Sequence, residues 1–400
     1  MYTTVYLVMS PFLGKIALVL CAVSFIGSLL LILHNIHSLK EDWEWQNDDA
    51  EPHGIVRQHG DYWVWHDYIR RHDNVKDNES ITLTTHGTFM DLGMLPSLLE
   101  RWQAPISLSI FASGSDFVMT IRSLRHLIGC QKQGNLIHHF VSIHLIFHSQ
   151  HIPKNMARFK ISPYVCAKHA PFEKMRQDLT YWQKSGLIYP VNLMRNVARY
   201  NSDTYYIMAL DLQLLPPPNF VKSFLNFVGS TTEVQEPFRS VYCLPTFPHK
   251  PHAPVAESKV QLKEILQEYN ISSPIYNNIE MQNQWLASKN SLKVFTIFHS
   301  STKMNMCVGY VSINELEPLY DERCTMESIY DGGFNLKGKV LMDLKYTFLI
   351  LNEAFLIRHA LDSWRSIKLG KITRKSNLKM SLNWHKFYNN FVNLEPLGKL

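Results

Sequence analysis

Apolar and polar positions alternate most regularly between residues 81 and 111. Ile81-Thr-Leu-Thr-Thr85 is β-branched and stops at His86-Gly87, which predicts a strand followed by a turn. Leu92, Leu95, Leu98 and Leu99 then recur at helical spacing, and after the Ala104-Pro105 break a second strand is predicted over 106–111. Strand, helix, strand at this spacing is a βαβ unit and implies a parallel sheet. The alternation continues with a strand over 140–147, a helix over 191–200 and a short buried strand over 205–210 that runs into Asp211. Pro216-Pro217-Pro218 closes the loop that follows. Asp211 therefore stands at the C-terminal edge of a central strand, where open α/β sheets collect their ligands, although an acid there can equally cap the next turn. Beyond Pro218 the pattern loosens into a loop rich in proline and histidine (Pro245, Pro248, His249, Pro251, His252, Pro254). A helix over 260–269 and a strand over 346–351 come after it.

One run departs from this pattern altogether. Ile16 to Leu33 carries no charge, and about 18 residues at about 1.5 Å each just cross a hydrocarbon layer about 30 Å thick. It ends in Leu-Ile-Leu-His rather than a small-x-small cleavage site, which predicts a signal anchor instead of a cleaved signal peptide. Lys15 precedes it and Lys40, Glu41, Asp42 and Glu44 follow, so the charge rule leans weakly toward a cytosolic N-terminus. Two sequons, Asn78-Glu79-Ser80 and Asn270-Ile271-Ser272, lie C-terminal to the run, where a lumenal domain would receive glycans. The expected organisation is a cytosolic tail over 1–15, a transmembrane anchor over 16–33, a stem over 34–80 and one lumenal domain over 81–400. The stem holds Trp43, Trp45, Trp63 and Trp65 and is expected to gain order near Tyr62 to Tyr68.

Composition narrows the function classes. With 46% hydrophobic and 12% aromatic residues in 400, the chain can bury a large core and is not a disordered protein. The net charge of +6 is modest, and its one basic cluster runs from Arg358 to Lys386, so no nucleic-acid partner is expected. Six cysteines without any Cys-x-x-Cys spacing carry no zinc or thioredoxin signature. Cys21 falls in the apolar run, leaving Cys130, Cys166, Cys243, Cys307 and Cys324. An oxidising compartment would allow one or two bridges of open connectivity and leave an odd thiol. No Gly-x-Ser-x-Gly or His-Glu-x-x-His motif speaks for a hydrolase.

Six blocks in order give a sharper reading. They are Ile81-Thr-Leu-Thr-Thr-His86-Gly, Leu98-Leu-Glu-Arg-Trp102-Gln-Ala-Pro-Ile-Ser-Leu, Val141-Ser-Ile-His-Leu, Asn192-Leu-Met-Arg-Asn-Val-Ala-Arg199, Asp321-Glu-Arg323 and Gly333-Phe-Asn335. Together, from about Ile81 to about Trp364, they resemble glycosyltransferase family 49. The resemblance implies a GT-A type nucleotide-diphospho-sugar transferase fold, α/β with a mixed, mostly parallel central sheet, in a type II Golgi membrane protein. It also implies a UDP-sugar donor, UDP-glucuronate in characterised relatives, with a glycan acceptor on a glycoprotein, a Mn²⁺ ion and inversion at the anomeric carbon.

Such a site stabilises the diphosphate that leaves, and a divalent ion held by an Asp-x-Asp pair and a His supplies the charge. Here the pair reads Asp211-Leu212-Gln213, an acid followed by an amide. Family members read Phe-Leu-Val-His after Leu-Asn-Glu, whereas this chain reads Leu351-Asn-Glu-Ala-Phe-Leu-Ile-Arg358-His359. A slip of one residue turns a side chain to the opposite face of an extended segment. Either His359 still completes a metal shell with Asp211 and Gln213, or Arg358 meets the diphosphate as a cation. The resemblance further suggests Arg195, Asn196 and Arg199 as donor-binding groups, with a structural ion pair beneath Asp211 as the other reading. His86 is expected near the nucleotide, or else as a turn histidine. Glu317, in Leu316-Glu317-Pro318, and Asp321 are the expected general bases for the acceptor hydroxyl, unless they cap helices or form salt bridges. Asp331, in Tyr330-Asp331-Gly332-Gly333, fits a turn. A relative that keeps the fold but only binds or regulates glycans is the competing function, and Gln213 and Arg358 are where the two part.

Overall fold

The computed structural model describes residues 54–72, 75, 77–154, 165–166, 169–174, 179–230, 234, 236–271, 279–289, 291–298, 307, 309–322 and 336–359, together with 27–28. Contacts divide the chain into Met1–Pro52 with Ala157–Pro163, and His53–Met156 with Tyr164–Leu400. Nearly all described residues belong to the second unit, and the fold below is that unit's. The expected anchor over 16–33 lies outside the described residues apart from Gly27 and Ser28. Among the described residues no helix is long and apolar enough to cross a membrane.

Thirteen strands are described. They are β1 (Ile55–His59), β2 (Tyr62–Ile69), β3 (Asp77–Gly87), β4 (Ile106–Phe111), β5 (Val141–His148), β6 (Thr204–Ala209), β7 (Leu214–Leu215), β8 (Ser240–Leu244), β9 (Thr246–Pro248), β10 (Val294–Phe298), β11 (Gly309–Ile313), β12 (Thr347–Leu351) and β13 (Leu356–Arg358). Ten of them form one mixed sheet in the order β1-β2-β5-β4-β3-β6-β11-β8-β12-β10. Its centre is the parallel run β5-β4-β3-β6. β11 is antiparallel to both β6 and β8, and β12 runs parallel to β8. A second sheet, β7-β13-β9, has β13 antiparallel to β7 and parallel to β9.

The central strands are covered on both faces, as the βαβ reading requires. β4 is buried at every position, and its small polar residues are satisfied inside the sheet. Ser107 Oγ lies 3.0 Å from His144 Nε2 on β5, while His144 Nδ1 accepts from the Asp67 backbone N–H at 2.9 Å. Burial holds that histidine neutral, its pKa lowered to about 3. The helix Leu95–Trp102 begins with Pro96 in its first turn. It stops where Gln103 turns left-handed at φ 45° and its N–H binds Leu99 O. Trp102 Nε1 then donates to Pro105 O at 2.9 Å, fixing the entry into β4.

Two expectations need correction. The folded unit does not begin at residue 81. Ile55–His59 and Tyr62–Ile69 form a hairpin whose second strand pairs antiparallel with β5, so most of the expected stem beyond residue 54 is part of the main sheet. The reason is strand alternation: Val64 and Trp65 are buried against the sheet edge, and a β-branched and aromatic run favours pairing over an extended stalk. Phe140 ends a short helix, Gly134–Phe140, rather than opening β5.

The second half packs a separate apolar cluster, with Trp285, Phe247, Phe355 and Tyr310 among its members, between the sheet and the helices Lys259–Glu268 and Ile279–Ala287. The Leu351-Asn-Glu motif pins it. Asn352 Oδ1 accepts from Lys259 Nζ at 2.5 Å and from Ser288 Oγ at 2.6 Å, and the ammonium sits 4.5 Å from the Trp285 ring centre.

Candidate functional site

β3 and β6 are neighbours, so their C-terminal ends place His86 and Asp211 side by side. The fit at Gly87 is close: a Cβ there would lie 3.0 Å from both Asp91 Cβ and Leu212 Cδ1, so those side chains would have to shift to admit one. Asp91 fixes the turn beyond it, its Oδ2 accepting from Thr88 N at 2.8 Å and Thr88 Oγ1 at 2.9 Å. Leu214 N binds Asp211 O at 2.9 Å, a tight turn that feeds β6 into β7.

Three cationic or donor groups surround the Asp211 carboxylate. His86 Nε2 lies 3.4 Å from Oδ1 and Arg195 Nη2 lies 3.9 Å from the same oxygen. These distances are long for charge-assisted hydrogen bonds, so the carboxylate is surrounded without being tightly held. Burial alone would raise its pKa, but the contact and charge of His86, then the charges of Arg195 and Arg358, bring it below the ordinary aspartate value. His86 Nδ1 is 2.8 Å from Tyr189 Oη. Tyr189 stays a phenol, its pKa raised by burial first and then by Asp91 and Asp211. The phenol and Nδ1 share one hydrogen bond, and the other ring nitrogen, Nε2, faces Asp211.

Arg195 comes from the helix Val191–Tyr200, which is buried along nearly its whole length. Its Nη1 donates to Asn192 Oδ1 at 3.3 Å, and its guanidinium carbon lies 5.0 Å from the Tyr320 ring centre. The ion pair with Asp211 expected as one reading of this helix is thus present, and it belongs to the site.

The small sheet brings the C-terminal motif to the same edge. Arg358 pairs with Leu214 on one side and Pro248 on the other, and His359 N binds Gln213 O at 2.8 Å. Successive residues of β13 face opposite ways. Arg358 is the one whose charge acts on Asp211, while the His359 ring stacks on His249 at 5.0 Å and 20°.

Three expected residues are placed differently. Arg199 donates to Asn314 Oδ1 and to the carbonyls of Asn314, Glu317 and Pro318, so its donors serve the segment 314–318 and not a ligand. Asn196 grips the same segment, accepting from Tyr320 N at 2.9 Å and donating to Tyr320 O at 2.9 Å and Glu322 Oε1 at 2.8 Å. Glu317 is buried, 3% exposed. Its carboxylate pairs with Lys337 Nζ at 2.8 Å and accepts from Tyr310 Oη at 2.8 Å and from Ser312 Oγ. Burial would raise its pKa, yet Lys337 and Arg199, with the Ser312 hydrogen bond, lower it. A carboxylate so satisfied and so shielded is a structural node and a poor general base. Asp321 is half-buried, its carbonyl held by Asn192 Nδ2 at 2.9 Å, and of the two expected bases it is the one solvent reaches.

Sequence reasoning overlooked Tyr189, Tyr320 and Lys337. Tyr320 carries a signal, lying between the Glu317-Pro318 pair and the Asp321-Glu-Arg block. Lys337 and Tyr189 carry none, because each acts on a partner far away in sequence.

A divalent ion at this edge would draw on the Asp211 carboxylate, the Gln213 amide and the His359 imidazole. These residues fit poorly. Of the three, one carboxylate is the only charged group, it already has the Arg195 guanidinium and the His86 ring beside it, and the imidazole is stacked on His249. Among the described residues no three His, Cys, Asp or Glu side chains form a metal cluster.

The sequence matches the family profile described as "Glycosyl-transferase for dystroglycan" over residues 80–392. Beta-1,4-glucuronyltransferase 1 of Danio rerio is 28% identical over 334 residues, covering 76% of this chain and 73% of that protein. The Homo sapiens protein of the same name is 24% identical over 172 residues, 39% of its length. The glycosyltransferase-like protein gnt14 of Dictyostelium discoideum is 23% identical over 73% of this chain and 39% of its own. Among solved structures, S. aureus TarS 1-349 aligns over 70% of this chain and 60% of its own, with 9% identity and a TM-score of 0.35, too low to bear on the fold.

Proposed function

Since the chain belongs to the glycosyltransferase family described as acting on dystroglycan, we propose that it is a GT-A type, inverting transferase that passes a sugar, glucuronate, from UDP to a glycan acceptor on a glycoprotein. The observation that carries this reading is the edge cluster of Asp211, His86, Arg195 and Arg358 at the C-terminal ends of parallel strands. Donors and cations fixed there before the reaction stabilise the negative charge that develops on a departing diphosphate. The buried helix Val191–Tyr200 and the segment it clamps keep Arg195 in place as the charge shifts. Glucuronate as the sugar is supported by the likeness to a protein named beta-1,4-glucuronyltransferase 1. Asp321 is the candidate base for the acceptor hydroxyl.

The site of action we propose is the Golgi lumen, with the apolar run over 16–33 as a single-pass type II anchor. Two disulfides, Cys130–Cys166 and Cys243–Cys307, support an oxidising compartment. Both sequon asparagines, Asn78 and Asn270, are exposed. Release of UDP by the full chain from a panel of UDP-sugars, with a glycoprotein glycan as acceptor, tests the activity: UDP-glucuronate is expected to give the highest rate, and no release from any donor defeats the reading. In animal cells the protein should shrink on glycosidase treatment, and Asn78→Gln with Asn270→Gln should abolish the shift. A C-terminus open to protease in the cytosol would defeat the topology.

A further inference from the structure

We propose that this chain holds the donor's diphosphate with its own side chains, Arg358 and Arg195 aided by His86, in place of a divalent metal ion. The inference rests on the transferase reading above and adds how the donor is gripped. Its first support is the donor set: one carboxylate and one amide, Asp211 and Gln213, the least negative charge with which a protein shares a divalent ion with substrate phosphates. Its second is what surrounds that carboxylate. His86 Nε2 at 3.4 Å and Arg195 Nη2 at 3.9 Å both stand against the same oxygen, Oδ1. Arg358, whose backbone pairs with Leu214 three residues beyond Asp211, is the second guanidinium whose charge acts on that carboxylate. A cation entering there meets the charges of Arg195 and Arg358 beside Asp211, while the Asp91 carboxylate of the same edge is taken up by Thr88.

The same arrangement suits an anion. Two guanidinium groups act on Asp211, and planar forks of N–H donors match phosphate oxygens in pairs. Both forks are held from behind. Arg195 is braced by Asn192 and by the face of Tyr320, and Arg358 sits on a strand fixed between two others. Tyr189 holds His86 by its Nδ1 and leaves Nε2 facing the cluster, where it makes no hydrogen bond among the described residues. Asp211 then keeps the cations positioned until the diphosphate arrives, which differs from a ligand's role.

Calorimetric binding of UDP to the full chain, in EDTA and in excess Mn²⁺, tests this. UDP should bind with the same affinity in both, within about twofold, and Arg358→Gln should weaken it by about tenfold or more in both. Arg358→Lys keeps the charge but loses the fork, and an intermediate loss is expected from it should the Gln variant fail to fold. Gln213→Asp with Arg358→His should make UDP binding depend on Mn²⁺. Wild-type UDP binding that needs Mn²⁺, or an Arg358→Gln variant that binds UDP as the wild type does, overturns the inference. In the first case the transferase reading stands, whereas a chain that binds UDP under neither condition loses both.

Discussion

Asp211 and Glu317 are both buried carboxylates held below their ordinary pKa by cations, yet they are built for different work. Glu317 has a lysine at 2.8 Å, a tyrosine hydroxyl at 2.8 Å and a serine hydroxyl, all supplied within one compact network. Asp211 has its nearest cationic partners at 3.4 and 3.9 Å. A carboxylate with both oxygens engaged in a buried network has little chemistry left to offer and contributes stability. One that is ringed by donors at arm's length leaves those donors able to turn to an incoming anion. Tyr320 connects the two, with Arg195 at 5.0 Å on one side and Lys337 Nζ at 4.4 Å from its ring centre. A motif acid is thus read by how completely it is satisfied, and its place in the motif does not settle its role.

The largest effect should come from breaking the tight node. Glu317→Gln leaves the Lys337 ammonium, 4% exposed, without its counter-charge, and removing one partner of a buried pair costs about 3–5 kcal/mol. Urea unfolding of the full chain measures it, and a loss under about 1 kcal/mol would show that Glu317 is not the anchor described.

Asp211→Asn should act on turnover instead. Without the carboxylate, Arg195 and His86 lose the charge that positions them, and the rate of UDP release should fall by about a hundredfold to a thousandfold, as when one oxyanion stabiliser is removed. Stability should change little beside Glu317→Gln, and UDP should still bind. Unchanged turnover would take Asp211 out of the site.

Acid separates the same two carboxylates from their surroundings. Each has a folded pKa below its unfolded value, 3.8 for Asp211 and 4.5 for Glu317. Their contribution is therefore fully present above those values and is lost as pH falls through the lower folded ones. The stability gap between wild type and Glu317→Gln should narrow as pH drops from about 6 to about 3, and a gap that widens would contradict the assignment.

The smallest effect belongs to the connection. Tyr320→Leu removes both ring faces and should cost about 1 kcal/mol, with a loss of coupling between Asp211→Asn and Glu317→Gln in a double-mutant cycle. Additivity in the wild-type background would mean that the two carboxylates are independent.

Local pattern alone carried much of the architecture. The strands at Ile106–Phe111 and Thr347–Leu351, the helix Val191–Tyr200 and the position of Asp211 at a strand edge follow from period, β-branching and proline breaks, all of which act over a few residues. The ordered blocks also placed the chain in its family, because the residues at strand ends and turns cannot vary freely without disturbing the sheet. Tertiary structure alone decided who partners whom. The roles of Arg195 and Arg199, four residues apart on one helix, diverge because one end of the helix reaches the sheet edge and the other meets the segment 314–318. Arg358 rather than His359 came to act on Asp211 through the register of a three-residue strand between β7 and β9. Glu317 became a structural node when Lys337 packed against it. Such pairings join residues far apart in sequence, and their energies depend on burial and distance, which exist only once the chain has folded.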